Sequence, residues 1–125
     1  MILDTCALLF LASGDRRLSK SVRQQLSVAP LRRFCVISSF EIALKWRHGK
    51  LELPAPPSTW IHEMIDRYVL TEISLDSTLC IAAAELPPHH RDPFDRFIIA
   101  AALQLNTPVV TIDPKFAPYG VEVLN

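Results

Sequence analysis

The stretch that decides the fold runs from Arg91 to Asp113, RDPFDRFIIAAALQLNTPVVTID. Asp92 followed by Pro93 reads as a helix N-cap with proline at the first helical position, where the missing N–H costs nothing. Thirteen residues of helical composition run on to Asn106, and Pro108 restarts the chain as PVVTI. This β-branched run is too apolar to alternate, which suits a parallel strand covered on both faces. It ends at Asp113-Pro114, a second capping pair. The stretch therefore sets three carboxylates at element ends: Asp92, Asp95 and Asp113. Within the helix, Arg96, Ala100 and Gln104 recur at i, i+4 and i+8 and predict a narrow exposed stripe. Asp95 lies about 100° around the axis from Arg96, at the border of that stripe, where a carboxylate can line a cleft without entering the core.

Working outward, the same alternation of strand and helix extends over the whole chain. Met1 to Leu3 reads as a short strand ending at Asp4, and Thr5 to Ala12 as a helix that Asp4 can cap. Ser19 caps a second helix to about Val28, and Phe34 to Ile37 is the next strand. Ser38-x-x-Glu41 has the spacing of a capping box opening a helix to His48, closed by Gly49. Lys45 stands four residues after Glu41, at ion-pair spacing. Leu51 to Pro57 is a proline-rich loop, and Ser58 opens a helix with Trp60, Ile61, Met64, Ile65 and Tyr68 on one core-facing side. Val69 to Leu75 suits a third strand, and Asp76 caps a helix through Leu86. Val121 to Leu124 gives a last strand at a sheet edge. This order predicts a three-layer α/β/α sandwich with a mainly parallel sheet of four to five strands.

The 125 residues read as one domain, residues 1–125, large enough to bury an ordinary core. Thirteen basic and thirteen acidic residues cancel, so any contact with phosphates must be local. No apolar run approaches the eighteen or so residues that span a bilayer, and no basic leader is present; a cytoplasmic protein without a membrane partner is expected. Cys6, Cys35 and Cys80 lack CxxC spacing and read as buried thiols in a reducing compartment. The apolar side of the first helix and the Trp60 face exceed what a monomer needs to bury, which predicts a homodimer or a protein partner.

In parallel α/β sheets ligands bind beyond the carboxyl ends of the strands, where Asp4 and Asp113 fall. Glu41 follows the second strand closely, and Asp95 occupies the first turn of the helix leading to the fourth. Four carboxylates in one pocket repel unless a cation joins them. An oxygen-only set suits Mg²⁺, with Mn²⁺ as a substitute, and such an ion supports hydrolysis of phosphodiesters. The order of ILDT at Ile2–Thr5, SSFEIALK at Ser38–Lys45, HHRDPFDRFIIAAAL at His89–Leu103 and VVTID at Val109–Asp113 resembles the PIN-domain family. The likeness is specifically to VapC-type toxins of bacterial toxin–antitoxin pairs, and it covers nearly the whole chain. It implies a Mg²⁺-dependent endoribonuclease restrained by a cognate antitoxin, with the family's acidic positions on Asp4, Glu41, Asp95 and Asp113. Thr111 matches a hydroxyl near the metal, and Asp92 is accessory.

The basic residues divide between structure and binding. Lys45, Arg47, His48 and Lys50 gather at the end of the Glu41 helix, where cations complement the macrodipole; Lys45 and Arg47 are also candidates for contact with RNA or antitoxin. His89, His90 and Arg91 lie on a loop, and adjacent histidines seldom chelate one ion. His90 and Arg91 are therefore expected to touch a phosphate or partner. Arg96, read as exposed, would orient Asp95 or touch a phosphate. Two other functions fit a chain of this kind. A non-catalytic PIN-like module would bind RNA or protein only. A receiver-like phosphoacceptor domain would place Thr111 and Lys115 near its acids, but would need adjacent acids after the first strand, where Asp4 is followed by Thr5 and Cys6.

Overall fold

In the computed structural model, which describes residues 1–125, the first strand is the centre of the sheet. Strand β1 (Ile2–Leu3) pairs in parallel with β2 (Arg32–Cys35) on one side and β4 (Val109–Val110) on the other. Outside these lie β3 (Leu70–Ile73) and β5 (Val123–Leu124), so the order is β3-β2-β1-β4-β5 and every pairing is parallel. The sheet has five strands, and β5 forms an edge as its position and length predict. A receiver-like sheet has the order 2-1-3-4-5; the observed order excludes it.

Six helices cover the two faces. Helices α1 (Thr5–Ser13), α2 (Lys20–Val28) and α4 (Pro57–Tyr68) pack with Leu3, Phe34, Leu70 and Val110 on one face. Helices α5 (Ser77–Glu85) and α6 (Pro93–Leu105) pack with Ile2, Cys35 and Val109 on the other. Because side chains alternate along a strand, Ile2 and Leu3 feed opposite layers, and both are fully buried. A strand of two residues suffices here because all of its apolar surface is used. Helix α3 (Ile37–Arg47) packs against both α4 and α6, and a 3₁₀ turn, Ala117–Tyr119, precedes β5. No helix is long and apolar enough to cross a membrane.

Several local expectations give way to tertiary contacts. Ile37 belongs to α3, and Ser38 sits inside that helix, buried, accepting a hydrogen bond from the Thr5 hydroxyl at 3.0 Å. The capping box therefore does not form: Val36 is the N-cap, without a side-chain bond. The predicted exposed stripe of α6 is interrupted, since Ala100 is buried and Arg96 half-buried; only Gln104 faces solvent, beside Leu103 and Leu105. The reason is that α5 packs alongside α6 and takes the Arg96 guanidinium onto its own carbonyls. Cys6 is exposed and not a core thiol, while Cys35 is buried. Finally, Phe10, Leu11, Trp60, Ile61 and Met64 are buried by the chain's own core, while Leu9, Ala12, Ile65 and Tyr68 on the same two helices are only partly covered; the exposed aromatic residues are Phe40 and Trp46.

Candidate functional site

The chain runs outward from β1 to β2 and β3, then crosses back to β4 on the other side. Such a reversal of strand order opens a crevice at the carboxyl ends of the two central strands. Asp4 follows β1 directly, and its backbone N–H donates to the Val110 carbonyl of β4 at 3.1 Å. Its side chain caps α1, with Oδ1 accepting the Ala7 N–H at 2.6 Å. Thr111 continues β4 and is buried; its hydroxyl oxygen accepts the Asp113 N–H at 3.0 Å. Asp113 in turn accepts the Lys115 N–H on Oδ1 at 2.9 Å. One carboxylate from each central strand thus enters the crevice with its backbone anchored.

Two helices bring the other acids. Glu41, on α3, is 4% exposed and paired with Lys45 at 3.4 Å. The Thr5–Ser38 bond ties the start of α3 to the start of α1, which keeps Glu41 and Asp4 in one neighbourhood. Asp95 occupies the first turn of α6, where the Asp92 cap, accepting the Phe94 N–H at 2.9 Å, fixes the helix start. Burial pushes the Asp4 carboxyl up to about 6, with Glu41 and Asp113 adding repulsion; hydrogen bonds with the Thr111 side chain and the Ala7 N–H oppose the rise. Burial likewise pushes Asp95 up to about 8, and Asp92, Asp4, Glu41 and Asp113 all raise it further. The acids predicted from four separate segments therefore feel one another's charge.

His90 is the residue whose place was misjudged. It is 5% exposed, so it is no surface contact for phosphate or partner. Its Nε2 lies 2.8 Å from Asp113 Oδ2 and 3.1 Å from Asp95 Oδ2. One ligand atom each from His90, Asp95 and Asp113 fall within 4.8 Å of one another. Arg96 also departs from expectation. Its guanidinium binds backbone carbonyls of Ala83, Ala84, Leu86, Pro87 and His90 at 2.6–3.2 Å, and so neither orients Asp95 nor reaches a phosphate. Sequence offered one signal for His90, its place two residues before the capping Asp92, from which a ring nitrogen can reach a backbone N–H. Arg91 and the Lys45–Arg47 end of α3 remain exposed.

The family profile of the PIN domain matches residues 1–121. The chain belongs to the PIN-domain family. No curated protein matches the sequence of this PIN domain significantly, but solved structures share its fold. One is VapBC2 from Rickettsia felis bound to a DNA fragment from their promoter, at 14% identity, TM-score 0.71, covering 99% of this chain and 96% of that one. FitAcB from Neisseria gonorrhoeae aligns at 20% identity and TM-score 0.68 over 99% and 96% of the two chains. FitAB bound to the IR36 DNA fragment aligns at 18%, 0.67, 99% and 93%.

The donor set of this PIN domain fits a hard divalent cation. Asp95 Oδ1 accepts no hydrogen bond from the protein, since only Oδ2 meets His90. Asp4 commits Oδ1 to its cap. Oxygen donors on short, anchored side chains are what Mg²⁺ or Mn²⁺ takes, with waters completing the shell. Cys6, in the first turn of α1, stands beside the cluster: its thiol is pushed up to about 11 by partial burial first, then by Asp4 and Glu41, with Asp95 contributing. Phe40 and Phe94 immediately precede Glu41 and Asp95 and pack with ring centroids 5.8 Å apart. Phe40 is 57% exposed.

Proposed function

We propose that this PIN domain, residues 1–125 acting as one nuclease unit, is a Mg²⁺-dependent endoribonuclease of the VapC type, the toxin of a toxin–antitoxin pair. The observation that supports the reading is the crevice between β1 and β4, where burial first, and the charges of neighbouring acids including Glu41 and Asp113 after it, raise Asp4 to about 6 and Asp95 to about 8. A set of acids that repel one another in isolation is stabilised by a cation. Asp4 and Asp95 would hold it directly, being short and fixed at a strand end and a first helical turn. Glu41 and Asp113 would hold waters around it, Glu41 through its longer stem. When bound, Mg²⁺ or Mn²⁺ supplies charge neutralisation at phosphate oxygens and activates water for attack on phosphorus.

The remaining roles belong to the chain. Thr111 steadies Asp113 and Asp4. Phe40, exposed beside Glu41, offers a stacking face for an unpaired base, which favours single-stranded RNA over a duplex. Lys45, Arg47 and Arg91 lie exposed and supply the local positive charge that a neutral chain needs to hold a phosphate backbone or an acidic partner. A cognate antitoxin and a homodimer complete the reading. VapBC2 and FitAB were solved on DNA, which supports a DNA-binding partner. A short neighbouring reading frame with a DNA-binding pattern would agree with this.

The direct test incubates the purified protein with unstructured RNA of mixed sequence in Mg²⁺, in Mn²⁺ and in EDTA. Internal cleavage in either metal, abolished by EDTA and restored by excess cation, is the expected result. Binding of RNA with no cleavage under any condition would replace the nuclease with a non-catalytic PIN-like module.

A further inference from the structure

His90 faces the acids through one ring nitrogen, and the other nitrogen determines what it can do there. Nδ1 accepts the Asp92 backbone N–H at 3.2 Å. An acceptor Nδ1 carries no proton, so in a neutral ring the proton sits on Nε2. Nε2 then donates to Asp113 Oδ2 at 2.8 Å and has Asp95 Oδ2 at 3.1 Å. It has no lone pair free for a cation.

The ring is held in this pose from every side. The His90 N–H donates to the Tyr119 hydroxyl at 2.7 Å, and that hydroxyl donates to the Pro87 carbonyl at 2.6 Å. The His90 carbonyl accepts from Arg96 at 3.0 Å. The imidazole packs edge-on against Phe116, whose side chain is fully buried, with centroids 5.8 Å apart. Rotating the ring to free Nε2 for a metal would break the Asp92 bond and this packing together. The three ligand atoms within 4.8 Å thus invite a misreading of His90 as a ligand.

We propose that His90 is a positioning residue, an imidazole locked by the Asp92 N–H on Nδ1 so that Nε2–H fixes Asp113 Oδ2 and stands against Asp95 Oδ2, leaving Asp95 Oδ1 for the cation. The inference rests on the metal-dependent reading above. Hydrogen-bond partners of this kind to metal-holding carboxylates are worth roughly 10–100-fold in metal affinity. The ring also places a donor between two carboxylates that would otherwise repel.

The test uses the whole chain labelled with ¹⁵N-histidine, with the ring nitrogens observed by NMR at neutral pH before and after Mg²⁺ addition. The expected spectrum shows Nδ1 unprotonated and Nε2 protonated in both states. Loss of the Nε2 proton on Mg²⁺ addition would make His90 a ligand and overturn the proposal, as would an Nδ1–H tautomer or an imidazolium in either state. A second arm titrates Mn²⁺ by EPR. His90→Leu should bind Mn²⁺ roughly tenfold or more weakly, whereas His90→Gln, whose amide can still donate, should recover most of the affinity. Equal affinity of folded His90→Leu and the wild type would also overturn it; should His90→Leu fail to fold, the tautomer decides. Wild-type protein that takes up no Mn²⁺ would instead remove the metal reading itself, so the two failures are distinct.

Discussion

Asp92 and Asp95 lie three residues apart at one helix start, yet their surroundings differ. Asp92 Oδ1 accepts the Phe94 N–H, and that cap is sufficient reason for an acid at this position. Asp95 has an oxygen free of protein donors and a carboxyl lifted to about 8, by burial first and by Asp92 next. Asn caps about as well as Asp, so Asp92→Asn should retain most RNA cleavage. Asp95→Asn and Asp4→Asn should each lose more than about 100-fold, beyond the loss seen when an outer partner of a metal ligand is removed. Single-turnover cleavage at saturating RNA separates these outcomes from changes in substrate affinity. Near-normal turnover by Asp95→Asn would refute its role as a direct ligand.

At the scale of elements, the loop between α5 and α6 matters most because it delivers His90 beneath the acids. The last carbonyls of a helix lack partners within it. Arg96 takes those of Ala83 and Ala84 from α5, then Leu86, Pro87 and His90 from the loop, so one guanidinium fastens two helices and the segment between them. Five donors in a planar fork make this possible, and a lysine ammonium cannot reproduce it. Arg96→Lys is therefore expected to destabilise the fold by about 2–4 kcal/mol, a few charge-assisted bonds at 1.5–3 kcal/mol each with partial replacement by lysine and water. Urea unfolding with an unchanged m-value would read this out. A variant as stable as the wild type would mean that water serves those carbonyls equally well.

For the whole molecule, the acid cluster is a stability cost that depends on pH. Asp4 and Asp95 have folded pKa values of about 6 and about 8, raised from 3.8, so the native state binds protons that the unfolded chain has released. Their contribution is fully present below about pH 4 and is lost as pH rises through 6 and 8. In EDTA, the Tm of the wild type relative to Asp95→Asn should fall across this window, because the variant lacks the charge that appears last. Adding Mg²⁺ should remove most of that fall, the cation replacing the proton. Thermal melts of both proteins at several pH values, with and without Mg²⁺, provide the comparison. A wild type that gains on the variant as pH rises in EDTA would show that the carboxylates are not crowded.

What this sequence determined alone was whatever depends on near neighbours. Asp92-Pro93, Asp76 and Ser19 start helices where expected, since a cap needs only the N–H groups two or three residues on. Short apolar strands alternating with helices implied the parallel sheet, and their ends located Asp4 and Asp113. Tertiary structure decided the rest. Ser38 has the spacing of a capping residue but bonds Thr5, thirty-three positions away, and Arg96 leaves solvent for carbonyls of another helix. His90 is turned from a surface histidine into a buried donor by Tyr119 and Asp113, both more than twenty residues further along the chain. A local pattern limits a residue's options, but which hydrogen bond it makes depends on the partners the fold brings within 3 Å or so, and burial makes leaving any of them unmet costly.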